Sequence, residues 1–387
     1  MPKVLMACTH PYWSHLQVGS QHLARQFARH GWDVVYLSAP ITALHLPRLS
    51  SPEVRARFKY AFAEPSSHEN GRIRAFPPFS LIAPDGRPVL RHPLVTRNWY
   101  RTMIPSLKKI LARAGADRVN LLYIDNLSYH FLLDCVQHDT SVFRVMDMHD
   151  HFPGWQGRAK ALAQKIAWRA DLTVYSAQGL ESYVASLSPK QTALVPNGVD
   201  FEFFQSASFS DSHHPVLSSI PDPIILYVGM IDTWVDIDLV VRTARKNPEV
   251  SFVFVGPGST KTEKLSAQNL YFLGSVSHLD MPRILRSAQA GMIPFDVDKN
   301  PDLIKGIRPL KLLEYMAAGL PVICARWPEV ENMNSPAWFY KNEQQFDDLV
   351  QKAVSQSHDS KPYLDFARGQ DWRNAFQLML EALNIST

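Results

Sequence analysis

Short apolar runs alternate with amphipathic stretches along most of this chain, and the alternation predicts its elements. Residues 4–7 read as a strand, followed by a polar, aromatic loop over residues 8–19. A helix comes next, with Leu23, Ala24, Phe27 and Ala28 facing inward and His30-Gly31 at its end; residues 33–37 form the following strand. Strand, helix, glycine and strand in that order make a βαβ unit and predict a parallel sheet. Further short apolar strands fall at residues 121–125, 142–146 and 172–175, with a basic amphipathic helix over residues 157–169. A second alternating series starts with a strand at residues 224–229 and a helix at 236–246. Strands at 251–255 and 269–273, a helix near 279–288 and a strand at 290–295 continue it. Residues 371–383 form a final helix. The pattern is α/β, in two successive series.

The segment Leu194-Val195-Pro196-Asn197-Gly198-Val199-Asp200 closes the first series, and its Asn-Gly pair marks a turn. A linker rich in Ser, His and Pro follows over residues 205–223. Domains are therefore expected at residues 1–204 and 205–370, with a C-terminal helix in 371–387. Residues 41–105 read as an irregular insertion, rich in Pro and Arg, with a helix at 51–62. A chain of 387 residues supports two domains with sizeable cores. Cys8, Cys135 and Cys324 are odd in number and far apart, which argues against a disulfide framework and fits a reducing, cytoplasmic setting. The apolar start of the chain turns polar by Thr9-His10, too soon for a signal peptide, and no run approaches a membrane span.

Charge changes this picture in one place. The net charge is only +4, yet residues 41–120 carry fourteen Lys or Arg against five Asp or Glu, with Phe58, Tyr60, Phe62, Trp99 and Tyr100 interleaved. Such a stretch suits either an anionic membrane surface or a solvated insertion. No nucleic-acid motif accompanies it, so nucleic acid is not an expected partner.

The most informative stretch runs from Gly306-Ile307-Arg308-Pro309-Leu310-Lys311 through Glu314 to Gly319-Leu320-Pro321-Val322-Ile323. Pro309 fits the first helical position; Leu310, Leu313 and Ala317 form a buried stripe; Gly319 suits the left-handed residue past the helix end, and Pro321 prevents continuation. Lys311 and Glu314 lie three apart and share a face. A helix N-terminus beside Arg308 and Lys311 suits a pyrophosphate, and Glu314, one turn on, can accept hydrogen bonds from a ribose diol. Gly229, after a strand, lets backbone N–H groups approach phosphate, and Met230 follows it to pack against a donor.

This segment resembles the signature helix of the nucleotide-sugar glycosyltransferases with two Rossmann-like domains facing across a cleft, the GT-B type, group 1 or family 4-like. The run from Gly19 to Val34, and the segments at 194–200 and 224–232, resemble the same enzymes in the same order. The resemblance implies a donor site on the second domain, an acceptor-facing first loop, a C-terminal helix packed back on the first domain, and no metal or other cofactor. The donor would be a nucleoside diphosphate sugar, UDP-linked. The acceptor would be a glycan or lipid-linked sugar of envelope polysaccharide synthesis, reached at the inner face of the membrane.

Met146-Asp147-Met148-His149-Asp150-His151-Phe152 crowds titratable residues at the end of an apolar strand, where open α/β sheets bind ligands. It resembles the Asp-x-x-Asp stretch of teichuronic-acid transferases and, more weakly, the xanthan-type glucuronosyltransferases. There an Asp is the proposed base, and it falls on Asp150. Asp147 is then a supporting or structural carboxylate or a helix-side cap, and His149 or His151 tunes the base or serves as it. Three consecutive residues point alternate side chains apart, which argues against a metal there. Many retaining members of the resembled family carry a second Glu eight positions before the helix glutamate. Here that position is Gly306, which favours inversion. A nucleotide-sugar epimerase of the same fold and a non-catalytic glycan- or lipid-binding subunit are the competing readings.

Overall fold

The computed structural model describes residues 1–14, 17–84, 89–90, 92–148, 158–206, 214–258 and 267–385. The chain divides into two compact units, Met1–Pro196 with Phe376–Thr387, and Asn197–Ala375.

The described strands of the first unit are β1 (Lys3–Ala7), β2 (Asp33–Leu37), β3 (Ile41–Thr42), β4 (Ser66–His68), β5 (Ile73–Phe76), β6 (Phe79–Ser80), β7 (Arg118–Ile124), β8 (Gln137–Val145), β9 (Leu172–Tyr175) and β10 (Thr192–Leu194). Eight form one sheet in the order β10-β9-β8-β7-β1-β2-β5-β4, and β3 pairs with β6 apart from it. All neighbours in the large sheet are parallel except β4, which runs antiparallel to β5. Val4 to Ala7 on β1 are fully buried, because a parallel sheet covered on both faces needs continuous apolar strands rather than alternating ones. The first helix, Gly19–Arg29, buries Leu23, Ala24, Phe27 and Ala28 as its spacing predicts. Within this unit the ring of Phe376 meets Phe27 edge-on at 4.8 Å.

Residues 41–105 are more regular than their composition suggests. The helix Pro52–Phe62 forms, but Ile73–Phe76 also joins the main sheet, with Ile73 opposite Val34 and Phe76 opposite Leu37. Reading the stretch as an irregular insertion therefore missed two strands of this sheet, β4 and β5. Four residues with Arg74 among them and prolines just beyond carry little strand signal. Pairing with β2 and burial of Ile73 and Ala75 supply what propensity does not.

The second unit holds β11 (Ile224–Val228), β12 (Ser251–Val255), β13 (Leu270–Phe272), β14 (Ala290–Ile293), β15 (Val322–Ala325) and β16 (Trp338–Tyr340), all parallel, in the order β13-β12-β11-β14-β15-β16. The strand order reverses between β11 and β14, the position where such sheets open a crevice at their carboxyl ends. Asp236 caps the helix Ile237–Lys246 by accepting from the Leu239 N–H at 2.9 Å.

The signature helix spans Leu310–Ala317; Pro309, expected as its first helical residue, is instead the N-cap in extended conformation, so the helix begins one residue later. At its far end Gly319 is left-handed (φ 83°). Its N–H reaches the Met316 carbonyl at 2.9 Å and the Leu320 N–H reaches Tyr315 at 3.0 Å, a Schellman closure. Tyr315 ties this helix to the sheet: its hydroxyl accepts from the Val228 N–H at 2.7 Å while its ring lies flat on Gly291 of β14. A Cβ at Gly291 would sit 2.3 Å from the Tyr315 ring. Gly291→Ala is therefore expected to destabilise the protein by about 1–3 kcal/mol in urea unfolding. Gly369→Ala, where a Cβ meets nothing within 4 Å, should leave the midpoint near wild type.

Candidate active site

The carboxyl end of β11 carries Tyr227, Val228 and then Gly229, whose φ of 138° only glycine adopts readily. The Gly229 N–H is held by the Val255 carbonyl at 2.8 Å, and a Cβ on the neighbouring Gly256 would stand 2.1 Å from the Gly229 carbonyl oxygen. Two glycines thus let the turns after β11 and β12 touch backbone to backbone.

The first turn of the signature helix delivers Lys311 to this spot. Its ammonium donates to the Tyr227 hydroxyl at 2.9 Å and lies 4.3 Å from the Tyr227 ring centre and 5.0 Å from that of Phe295. A Cβ on Gly229 would fall 2.9 Å from the ammonium nitrogen, so a side chain at 229 would push the lysine out of this position. Burial holds the Lys311 ammonium down to about 8, against the opposing pull of Glu314 and Cys324. Glu314, one turn further along, is half-buried; burial pushes its carboxyl up to about 7, and Lys311 opposes the shift. A cation whose solvation is incomplete at a sheet switch point can stabilise a diphosphate more strongly than a surface lysine would; the expected backbone donors of the turn are engaged internally, the Gly229 N–H by the Val255 carbonyl and the Ile231 N–H by the Pro257 carbonyl at 2.9 Å. A carboxylate one turn deeper can accept a diol.

Of the donor residues expected from sequence, Gly229, Met230 and Lys311 come together around Tyr227, whose hydroxyl also donates to the Met230 carbonyl at 2.8 Å. Arg308 is engaged elsewhere. Its guanidinium donates to the Gln370 side chain at 2.8 Å and pairs at 3.5 Å with Glu329, whose side chain is 2 % exposed. Asn197 reaches the Arg308 carbonyl at 3.3 Å, so this arginine ties the helix entry to residues 197 and 370. Sequence reasoning passed over Tyr227, Phe295, Tyr315 and Gly256. Each sits in an apolar run or a short turn and carries no signal beyond core packing.

His149, Asp150 and His151 lie outside the described residues. The strand that leads to them is described. Arg144 on β8 is fully buried, and a Cβ on Gly19 would lie 2.3 Å from its guanidinium. Burial pushes the half-buried Asp147 up to about 6, and Arg144 opposes that rise. Next to β8 in the sheet, Asp125 follows β7 and is buried; it accepts from the Thr9 N–H at 3.0 Å and from the Ser20 hydroxyl, which pins the first loop to the strand ends.

Residues 222–356 match the family described as glycosyl transferases group 1. The chain is 24% identical over 241 residues to the putative teichuronic acid biosynthesis glycosyltransferase TuaH of Bacillus subtilis, covering 58% of this chain and 60% of that protein. It is 27% identical over 264 residues to the sulfoquinovosyl transferase SQD2 of Arabidopsis thaliana, covering 61% of this chain and 50% of that one. The matches thus span only 50–60% of these relatives' own lengths. Among solved structures, sucrose-phosphate synthase from Thermosynechococcus elongatus superposes with a TM-score of 0.69 at 14% identity, covering 99% of this chain and 98% of that one. HepE of Anabaena, in complex with UDP and glucose, gives 0.66 at 12% identity, covering 99% and 100%. At such identities the likeness concerns the fold, and the fold is GT-B. The group 1 segment contains the whole glycine turn, Tyr227, Lys311 and Glu314.

The Lys311 and Glu314 shifts set a pH window. Glu314 is ionised above about 7 and Lys311 is protonated below about 8, so both carry the charge a nucleoside diphosphate needs only between those values. UDP affinity, measured by calorimetry across pH, is expected to peak there, falling on the acid side as Glu314 protonates and on the alkaline side as Lys311 loses its proton. Glu314→Gln should remove the acid limb and move the alkaline one to lower pH, because the carboxylate that supports the ammonium is gone.

Proposed function

We propose that the protein is a glycosyltransferase that moves a sugar from a UDP-sugar to a glycan or lipid-linked acceptor in polysaccharide synthesis. The observation that carries this reading is the Lys311 ammonium lodged against Gly229 at the switch point of the second sheet, with Glu314 one turn beyond. In the step itself the acceptor hydroxyl oxygen forms a bond to the anomeric carbon while the bond from that carbon to the diphosphate oxygen breaks. The acceptor proton passes to a carboxylate and the charge accumulates on UDP. Lys311 and the N-terminus of its helix meet that charge, and no metal is needed for it.

Inversion follows in this proposal from Gly306, which stands where retaining relatives of the resembled type carry a Glu, and Asp150 is the general base. Its position five residues beyond the end of β8 supports that role. Lys311→Ala is expected to weaken UDP binding about 10- to 100-fold, the loss of one charge-assisted hydrogen bond. Asp150→Asn should bind UDP as wild type does and lose turnover by a factor on the order of 10² or more. A folded Asp150→Asn protein with near-normal turnover would remove the base assignment.

The first unit supports work at the cytoplasmic face of an anionic membrane. Among the described residues no helix is long and apolar enough to cross a membrane. The helix Pro52–Phe62 nevertheless sets Arg55, Lys59 and Phe62, all exposed, on one face at helical spacing. Leu44 and Leu46 beyond β3, and Leu81 and Ile82 beyond the parallel β6, are exposed at the same end of their two-stranded sheet. Vesicles containing anionic phosphatidylglycerol are expected to sediment the protein at low salt and release it as salt rises. Vesicles of phosphatidylcholine alone should not retain it, and absence of binding to anionic vesicles at low salt overturns the membrane contact.

A further inference from the structure

Tyr227 is buried on β11 beside Phe254, ring centres 5.4 Å apart, and its hydroxyl is used twice. It donates to the Met230 carbonyl at 2.8 Å and accepts from the Lys311 ammonium at 2.9 Å. One oxygen thus joins the glycine turn, just past the end of the same strand, to a helix more than eighty residues further on. A phenol has one proton, and Met230 takes it; this leaves the oxygen's lone pairs to accept from the ammonium, with the Trp234 side chain also acting on that oxygen. Lys311 in turn has three donors, so the bond to Tyr227 fixes the direction of its Nζ and leaves two for an anion. Without that anchor the four-carbon stem would have to be ordered at the moment of binding.

We propose that Tyr227 is a positioning residue for the donor: its hydroxyl holds Lys311 and the Gly229–Met230 turn in the one arrangement that receives a diphosphate. The proposal rests on the donor-site reading above and adds a residue that neither the family match nor the relatives assign. The groups facing Lys311 are Glu314 on its own helix, Cys324 on β15 and Tyr227 on β11, with the uncharged ring of Phe295 completing the surround. Of these only Tyr227 both contacts the ammonium and binds the turn.

UDP titrations on the full chain between pH 6.5 and 9.5, with wild type, Lys311→Ala and Tyr227→Phe, test this. Tyr227→Phe keeps the ring and removes the oxygen. UDP affinity is expected to fall about 5- to 30-fold, and the alkaline limb of the binding profile should move to lower pH, because the protonated lysine loses its acceptor. A residue that merely packs would not move that limb. Should Tyr227→Phe fail to fold, uniform replacement of tyrosine by 3-fluorotyrosine weakens every phenol oxygen as an acceptor and keeps every ring, and it should move the limb the same way. Wild-type affinity and an unmoved limb in the modified protein would overturn the positioning role while leaving the donor site intact. No UDP binding by wild type at any pH would overturn the donor site itself.

Discussion

A half-buried ammonium is the constraint around which the second unit is arranged. Taking Lys311 out of water costs several kcal/mol unless other groups compensate. The compensation visible here is partial: two aromatic faces, one phenol oxygen and a carboxylate on the next turn. Faces of this kind contribute on the order of 1–2 kcal/mol each at best, and the fall of Lys311 to about 8 records what is left uncompensated. The missing counter-charge is what an anion would supply. Everything that brings the lysine to this point follows: glycine at 229 and 256 so that two turns can touch, Tyr315 to clamp the helix onto β11, glycine at 291 to make room for that clamp, and Gly319 to end the helix sharply.

How much of this was legible beforehand depended on whether the signal was local. The strands Ile224–Val228 and Ser251–Val255 and the helix entry at Asp236 stand out because each carries its own evidence, a continuous apolar run or a capping carboxylate. Lys311 and Glu314 stand out because helical spacing alone puts them on one face. Arg308 shows the limit. Next to a helix start it reads as a second phosphate ligand, but its partners Glu329 and Gln370 lie 21 and 62 residues away, a separation no window of sequence displays. Tyr227 was hidden for the opposite reason: inside an apolar strand an aromatic residue reads as core, and only the hydroxyl's two bonds distinguish it.

Strand Trp338–Tyr340 and the helices Glu343–Ser355 and Lys361–Gly369 were also missing from the sequence reading. The strand is three residues at the edge of its sheet, half of it facing outward, where burial gives little pattern. Ile73–Phe76 lies inside its sheet, between β2 and β4, but is only four residues long with Arg74 among them, and it too carries little pattern of its own. In both cases the sheet already in place selects the strand, and propensity follows.

The two units repeat one device with opposite ends in view. In each, a glycine near a sheet switch makes room for a basic side chain from a later element: Gly19 for Arg144 in the first, Gly229 for Lys311 in the second, with Cβ positions 2.3 and 2.9 Å from the nitrogen. Arg144 is wholly buried, with the carboxylates of Asp125 and Asp147 acting on the same surroundings, so its charge is answered inside the protein. Lys311 is only partly covered, and one carboxylate acts on it where two act on Arg144. Equivalent geometry therefore has different consequences. A cation matched by internal carboxylates holds a loop in place, whereas a cation left short of counter-charge at an open strand end favours whatever anion can reach it.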